Sequence, residues 1–423
     1  MSPVAASGDT RWTVFIAQSL LTEHNTNLDE YLGLVQASRY YGVECVRDGR
    51  EFILGDAKVC ESGGDIYSFY PIGGPLLAMP FVFLMQHGLE LGQPLLRPIA
   101  RRAAGYPMVE SFLRADPIGG YGIYEVIIAS FLIALTSVVL FWIAVQTLQP
   151  SWAAGLAGVF AFGTSAWSVG SRAMFQHTPS MLVISLTMLL LSNARWVSWA
   201  GLTTGFAYVV RPTNGLLLVL VTVYVAIEHR AVLFRYLAFA ATELGAFAAY
   251  NLGTLGHLRS AYYTLTPPFP DSRLFIALAG NLVSPGRGLF VYTPILLFSI
   301  WGMLRAWKSG DSKPMTLLRC ALIGGHWLAI LVSDVLVGRS LIWSAPLSGH
   351  GPFIRALPHT IVRTMANRTK GTGIRGLYGG VSGVAIHAKG AFVRRAYLWN
   401  TTPQNVDDHP ERVWDWSDPA FLR

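Results

Sequence analysis

The chain has 423 residues, of which 52% are hydrophobic and only 13% are charged, and its mean hydropathy is +0.42. Ordinary globular proteins carry about a quarter charged residues, so this composition argues against a soluble globular protein and favours a lipid-facing surface. The formal net charge of +8 could indicate a nucleic-acid partner, but the basic residues fall mostly between apolar runs. We interpret them as topology signals and contacts with membrane lipids, and expect no nucleic acid.

Residues 1–70 are predicted to form an extracytoplasmic loop region of mixed character. No signal peptide precedes it, and we expect that a first membrane helix lies upstream, lost through a misassigned start codon. Two short amphipathic helices, over 13–21 and 28–39, are predicted to lie on the membrane surface. Strand-like pieces separated by glycine turns follow at 47–70.

The three cysteines carry no metal-binding spacing such as CxxC. Cys45 and Cys60 can pair if the N-terminal region is extracytoplasmic, or they are two unrelated thiols. Cys320 falls in a predicted span, where we expect it to fill space as a small apolar side chain.

Charge-poor apolar runs dominate residues 71–340, which we predict to be a multi-span transmembrane domain. Several runs approach or reach the ~20 residues that cross a ~30 Å hydrocarbon core. Segment 71–89, broken by prolines, is one span or an interfacial segment. The run 198–227 is one kinked span or two short ones. The other predicted spans are 122–147, 152–168, 179–194, 235–254, 288–306 and 316–337.

Lysine and arginine residues in the connectors predict the orientation, because basic connectors stay in the cytoplasm. The connectors holding Arg230 and Arg305 are therefore predicted to be cytoplasmic, which places 169–178 and 255–287 outside. The connector 91–120 also falls outside by parity, although it holds four arginines.

The character of the chain changes after residue 340. Segment 341–375 is basic and poor in apolar residues, which indicates a frameshifted stretch or a cytoplasmic insertion. A weak span at 376–395 and a polar, aromatic tail at 396–423 complete the chain. The predicted fold class is an all-α polytopic membrane protein of the inner cell membrane, with about eight to ten transmembrane helices and a small mixed extracytoplasmic N-terminal region.

Three acidic residues in the N-terminal region are candidate catalytic groups: Asp9, Asp29 and Glu30. A carboxylate just outside the membrane can act as general base on an acceptor hydroxyl or bind a metal. The alternative is that these are surface charges and a helix cap.

Four basic residues are candidate substrate-binding groups: Arg172, His177, Arg211 and Arg287. Arg172 and His177 lie in a connector, where they suit a phosphate or serve as interfacial anchors. Pro212 breaks the helical pattern beside Arg211, so that arginine lines a cavity or an outer helix end. Arg287 follows glycine in a segment whose backbone can approach an anion closely.

Other ionisable residues inside the predicted membrane domain are interpreted as satisfied or snorkelling charges: Glu125, Glu243 and Asp334. The motifs GxSxG, HExxH and GxxxxGK[ST] do not occur in the sequence.

Several stretches in order resemble a known group of proteins. They are GDTRW, SFYPIGGPLLAMPF, FGTSAWSVGSRAMFQHTPS, GLTTGFAYVVRPTN, SPGRGLFVYTP and the terminal RVWDW. The chain resembles bacterial polytopic membrane glycosyltransferases of the GT-C type, near the protein O-mannosyltransferases and aminoarabinose transferases. Two departures indicate a truncated or frameshifted member: no helix precedes Asp9, and segment 341–375 replaces an expected outer loop.

The resemblance implies a polyprenyl-phosphate-linked sugar as donor and transfer on the extracytoplasmic side. It implies that Asp9 is the catalytic base, with the Asp29–Glu30 pair as second candidate and a divalent metal assisting in some members. Arg172, His177, Arg211 and Arg287 become lipid-phosphate or sugar contacts. The predicted function is therefore sugar transfer to a lipid, glycan or protein acceptor. The alternatives are an inactive member of the same family or a transporter.

Overall fold

The computed structural model describes residues 8–258, 274–309, 313–337, 383–393, 398–400, 402–406 and 409–422. The described chain is mostly helical, which confirms the helical part of the predicted fold class. The predicted segment 341–375 lies outside the described residues. The helices are α1 (Thr13–Thr22), α2 (Leu32–Ala37), α3 (Gly73–Leu91), α4 (Gln93–Arg102), α5 (Pro107–Leu113), α6 (Tyr121–Val145), α7 (Pro150–Gly163), α8 (His177–Leu190), α9 (Ala200–Val210), α10 (Gly215–Glu228), α11 (Leu233–Thr254), α12 (Leu274–Val283), α13 (Leu289–Tyr292), α14 (Leu296–Ser309) and α15 (Lys313–Val337), with a further helical stretch at 383–392.

The N-terminal region contains a three-stranded antiparallel sheet, as the strand-like pieces predict. Its central strand β1 (Val43–Arg47) pairs with β2 (Arg50–Ile53) on one side and β3 (Asp65–Ser68) on the other. Cys45 and Cys60 form a disulfide with a Cα–Cα distance of 5.8 Å. The pairing that the sequence left open is therefore made, and it ties β1 to the loop before β3.

Two local predictions were wrong. Helix α1 was expected on a surface, but it packs against α3 and α6, and residues Thr13 to Ser19 are all buried. Its sequence TVFIAQSLLT has no wide polar face, so burial on several sides costs little. Cys320 was expected to fill the interior, but it lies exposed on α15.

Helices α8 and α9 run antiparallel. The hydroxyls of Thr187 and Thr203 hydrogen bond at 2.7 Å near one end of the pair. At the other end the Asn214 side-chain amide donates to Ser180 Oγ at 2.9 Å. The start of α8 and the turn 211–214 after α9 therefore lie at the same end of the bundle.

Helices α9 and α10 form a hairpin around that turn. The Tyr236 hydroxyl on α11 contacts the hydroxyl of Thr204 on α9 at 3.0 Å and that of Thr222 on α10 at 3.1 Å. One phenol can reach both threonines only if the two helices fold back side by side. The run 198–227 is thus two short helices rather than one kinked helix.

Two described helical stretches are long and apolar enough to cross a membrane: Tyr121–Val145 and Arg230–Thr254, the second being α11 with the 3-10 turn before it. Other apolar helices are shorter, such as α8 and α10 with 14 residues each. The predicted span 288–306 is interrupted between α13 and α14. The expectation of eight to ten spans remains a prediction.

Candidate functional site

Asp9 lies in a single 3-10 turn, Gly8–Thr10, just before α1. Its Oδ1 accepts hydrogen bonds from two phenols, that of Tyr41 at 2.6 Å and that of Tyr70 at 3.0 Å. Two donors on one carboxylate oxygen hold the group in a fixed orientation. Sequence reasoning missed both tyrosines, because they are far from Asp9 along the chain.

Both phenols stay protonated at neutral pH. Burial, together with the neighbouring Asp9, raises the pKa of Tyr41 to about 12. Stronger burial and the same carboxylate raise the pKa of Tyr70 well above its usual range. The two tyrosines therefore remain hydrogen-bond donors to Asp9 under physiological conditions.

A pocket enclosing about 330 Å³ of space, part of it open to solvent, lies beside Asp9. Three stretches of the chain meet there: the beginning of α1, the segment from the end of β3 into α3, and the connector before α8. The lining residues are Asp9, Trp12, Thr13, Ile16, Ser68, Tyr70, Pro71, Gly74, Pro75, Met174 and Gln176. The first two places singled out in the sequence thus meet at one pocket.

The connector is held at the pocket by Glu125, which is fully buried in the first turns of α6. The Glu125 carboxylate accepts a hydrogen bond from the Met174 backbone N–H at 2.9 Å. It also interacts with the hydroxyl of Thr10, the residue after Asp9. Glu125 therefore fixes two walls of the pocket relative to each other, a positioning role that the sequence did not reveal.

His177 follows the pocket residue Gln176 and begins α8. Its buried ring stacks on Phe175, with 5.0 Å between ring centroids. The positive charge of Arg211, at the end of α9, acts on this ring and on the ring of His326 in α15. Three basic side chains from α8, α9 and α15 thus lie near one another.

A close backbone approach brings Arg211 to the margin of the pocket. A Cβ on Gly73 would lie 2.6 Å from the Val210 Cα, so only glycine lets the start of α3 touch the end of α9 there. Gly74, next in the chain, lines the pocket. Arg211 and His177 are therefore each one residue away from residues at the pocket wall.

Arg172 and Arg287 are directed elsewhere. The Arg172 guanidinium donates to the backbone carbonyl of Ala391 in the stretch 383–392. Beside Arg287, the Gly286 N–H donates to the Val413 carbonyl at 3.1 Å. Neither arginine lines the pocket. The structure therefore associates these two predicted ligands with the C-terminal segment, apart from His177 and Arg211.

His387 joins that C-terminal segment to the connector. Its Nδ1 lies 2.9 Å from Ser168 Oγ, and its Nε2 lies 3.3 Å from Thr293 Oγ1. The ring is buried, so both nitrogens are satisfied inside the protein. A lone histidine in a weak apolar stretch gave no signal of this role.

Asp29 and Glu30 act locally. The Asp29 carboxylate accepts the Ile66 N–H of β3 at 2.9 Å, and burial raises the pKa of Asp29. Glu30 accepts a hydrogen bond from the Ser19 hydroxyl of α1. Neither lines the pocket. The pair fastens the N-terminal elements together, which is the capping alternative that the sequence allowed.

A carboxylate with fixed orientation at an open pocket can take a proton from a bound hydroxyl group. Basic side chains at the pocket margin can hold an anionic group. Among the described residues, no three His, Cys, Asp or Glu side chains are grouped to hold a metal ion. In comparison with known proteins, no family model, no curated protein and no solved structure matches this chain.

Proposed function

We propose that this chain is a multi-pass glycosyltransferase of the inner membrane. It transfers a sugar from a polyprenyl-phosphate donor to a hydroxyl of a lipid, glycan or protein on the extracytoplasmic side. The observation that carries the proposal is the meeting of separate motifs at one pocket. SFYPIGGPLLAMPF supplies Tyr70, Gly74 and Pro75, and FGTSAWSVGSRAMFQHTPS supplies Met174 and Gln176.

A third motif, GLTTGFAYVVRPTN, ends at the turn that carries Arg211, beside the same pocket. These stretches were selected by their resemblance to GT-C glycosyltransferases, without knowledge of their positions in space. Residues brought together from distant parts of a chain around a carboxylate are the usual construction of a binding site. Their convergence on Asp9 supports a common functional role.

Membrane residence is supported by the surface of Arg230–Thr254. This stretch is apolar enough to cross a membrane, yet only 11% of its most apolar window is buried. The core helix of a soluble protein would be covered by other elements. A long, apolar and uncovered helix instead suits contact with lipid.

In the proposed reaction, the Asp9 carboxylate takes the proton of the acceptor hydroxyl. The acceptor oxygen attacks the anomeric carbon as the bond from that carbon to the phosphate oxygen breaks, and polyprenyl phosphate leaves with the electron pair. Arg211 stabilises the negative charge on the departing phosphate. A single displacement of this kind inverts the anomeric configuration.

The test is a comparison of extracted lipids and surface glycans by mass spectrometry between a deletion strain and the same strain carrying the wild-type gene. The proposal predicts one sugar-modified species that is lost on deletion and restored by the gene. Identical profiles, with the chain expressed in the membrane, would favour the inactive family member.

A further inference from the structure

Helix α4 presents two unlike exposed surfaces. Ala100 faces the protein, whereas Leu95 is 79% exposed and Ile99 is 52% exposed. Because residues four apart share one face of a helix, these two form an apolar stripe. Arg97 and Arg101, also four apart and exposed, form a basic stripe beside it.

The basic stripe extends to Arg102, at the end of α4. Within the part of the chain that the structure describes, none of Arg97, Arg101 and Arg102 is assigned an ion pair. The nearby Arg114 differs, since its guanidinium pairs with the Glu110 carboxylate at 2.6 Å. Three cations next to uncovered leucine and isoleucine side chains are the composition of a helix that lies in a membrane interface.

The position of α4 is fixed relative to the beginning of α6. The Gln93 side-chain amide donates to the Leu113 carbonyl at 2.9 Å, which holds the start of α4 against the end of α5. Phe112 of α5 packs on Tyr124 of α6, with ring centroids 5.2 Å apart. Helices α4 and α5 therefore sit beside the first turns of α6.

That location coincides with the expected headgroup level. With a rise of about 1.5 Å per residue, α6 extends for roughly 37 Å. A hydrocarbon core of ~30 Å leaves both ends of such a helix among the lipid headgroups. The arginines of α4 then lie at the height of lipid phosphates, with the apolar stripe turned toward acyl chains.

We propose that α4 is a binding site for anionic phospholipid headgroups of the outer leaflet, held by Arg97, Arg101 and Arg102. The inference rests on the proposed membrane location. A guanidinium binds a phosphate through two parallel hydrogen bonds, and the adjacent Leu95 and Ile99 bury against the same lipid. A soluble polyanion would leave that apolar stripe uncovered. Lipid binding also explains why the connector 91–120, placed outside by parity, is rich in arginine.

The test uses the purified, delipidated full chain in neutral detergent, titrated with fluorescent phosphatidylglycerol or phosphatidylcholine. Wild type should prefer phosphatidylglycerol. The variant R97Q/R101Q/R102Q should lose about tenfold or more in affinity for that lipid, with binding of phosphatidylcholine unchanged. The control R39Q/R50Q/K58Q removes three exposed basic residues from the N-terminal region and should bind like wild type.

Equal phosphatidylglycerol affinity of the α4 variant and wild type would overturn the site. So would an equal loss in the control, which would indicate a net-charge effect. If the α4 variant fails to fold, wild-type binding still decides, because phosphatidylglycerol affinity must fall as ionic strength rises. Polyglutamate competing as well as the lipid would also refute a lipid site. Alkaline carbonate extraction of membranes separately tests the membrane location, so the two proposals can fail independently.

Discussion

The phenol of Tyr41 lies 2.6 Å from the carboxylate of Asp9, and the register of the sheet explains how it arrives there. Strands β1 and β3 pair antiparallel with Val43 opposite Ser68. Continuing that register by two residues places Tyr41 opposite Tyr70. Both phenols therefore leave the same end of the sheet toward one carboxylate. The N-terminal sheet is the scaffold that orients Asp9.

Loss of the Tyr41 hydroxyl should impair sugar transfer. The variant Tyr41→Phe removes one of two donors to Asp9, and a hydrogen bond to a charged group contributes about 1.5–3 kcal/mol. We expect a loss of roughly tenfold or more in kcat/KM, measured with membranes containing equal amounts of each protein. Tyr106→Phe changes an exposed phenol and should leave activity unaltered. Unchanged activity in Tyr41→Phe would mean that this hydrogen bond does not support the reaction.

The stability contributed by Tyr41 should depend on alkaline pH. Its folded pKa of about 12 is above the ordinary value of 10.0, so the unfolded chain loses the phenol proton first as pH rises. The contribution is therefore complete below pH 10 and is lost between pH 10 and about 12. Thermal unfolding of the solubilised protein should show wild type converging toward Tyr41→Phe over this range. A difference that stays constant with pH would contradict the raised pKa.

The disulfide between Cys45 and Cys60 should protect two of the three thiols. After denaturation without reductant, we expect one alkylated cysteine per chain by mass spectrometry, at Cys320, and three after reduction. Three reactive thiols without reductant would place the N-terminal region in a reducing compartment. For a loop of 15 residues, removal of the bridge costs about 3 kcal/mol of unfolding free energy.

The buried pair Ser168–His387 should couple the C-terminal segment to the connector. In a double-mutant cycle of Ser168→Ala and His387→Ala, we expect a coupling free energy of about 0.5–1.5 kcal/mol from unfolding measurements. The pair Ser309→Ala and His387→Ala serves as control, since Ser309 is exposed and bonds only to its own helix. Additive effects in the first cycle would show that the contact contributes nothing to stability.

Sequence periodicity predicted most helices because long apolar runs have few alternatives to a helix. It also located Asp9 and the connector around His177, whose residue types are unusual next to a membrane. The convergence of Tyr41, Tyr70 and Glu125 was not predictable, since it depends on strand register and on contacts between elements distant in sequence. Burial of α1 was missed for a related reason: a ten-residue helix has the same sequence whether lipid or protein covers it.

The resemblance named Arg172 and Arg287 beside Arg211 as ligands of one donor, but chain order alone does not say which way a side chain points. In the structure Arg172 reaches Ala391, whereas Arg211 ends at the pocket margin beside Gly73. Only the close approach of α3 to α9, which a glycine permits, decides which arginine lies next to Asp9.

The most direct test of Asp9 as the base is turnover by the variant Asp9→Asn in a membrane assay with a polyprenyl-phosphate sugar. Asparagine keeps the size of the side chain but cannot accept the acceptor proton. The matched control is Asp48→Asn in the exposed β1–β2 turn, where a φ of 52° suits asparagine. At equal membrane levels, Asp9→Asn should lose about 10²–10⁴-fold in rate, and Asp48→Asn should match wild type. Turnover by Asp9→Asn at the wild-type rate would contradict Asp9 as the catalytic base.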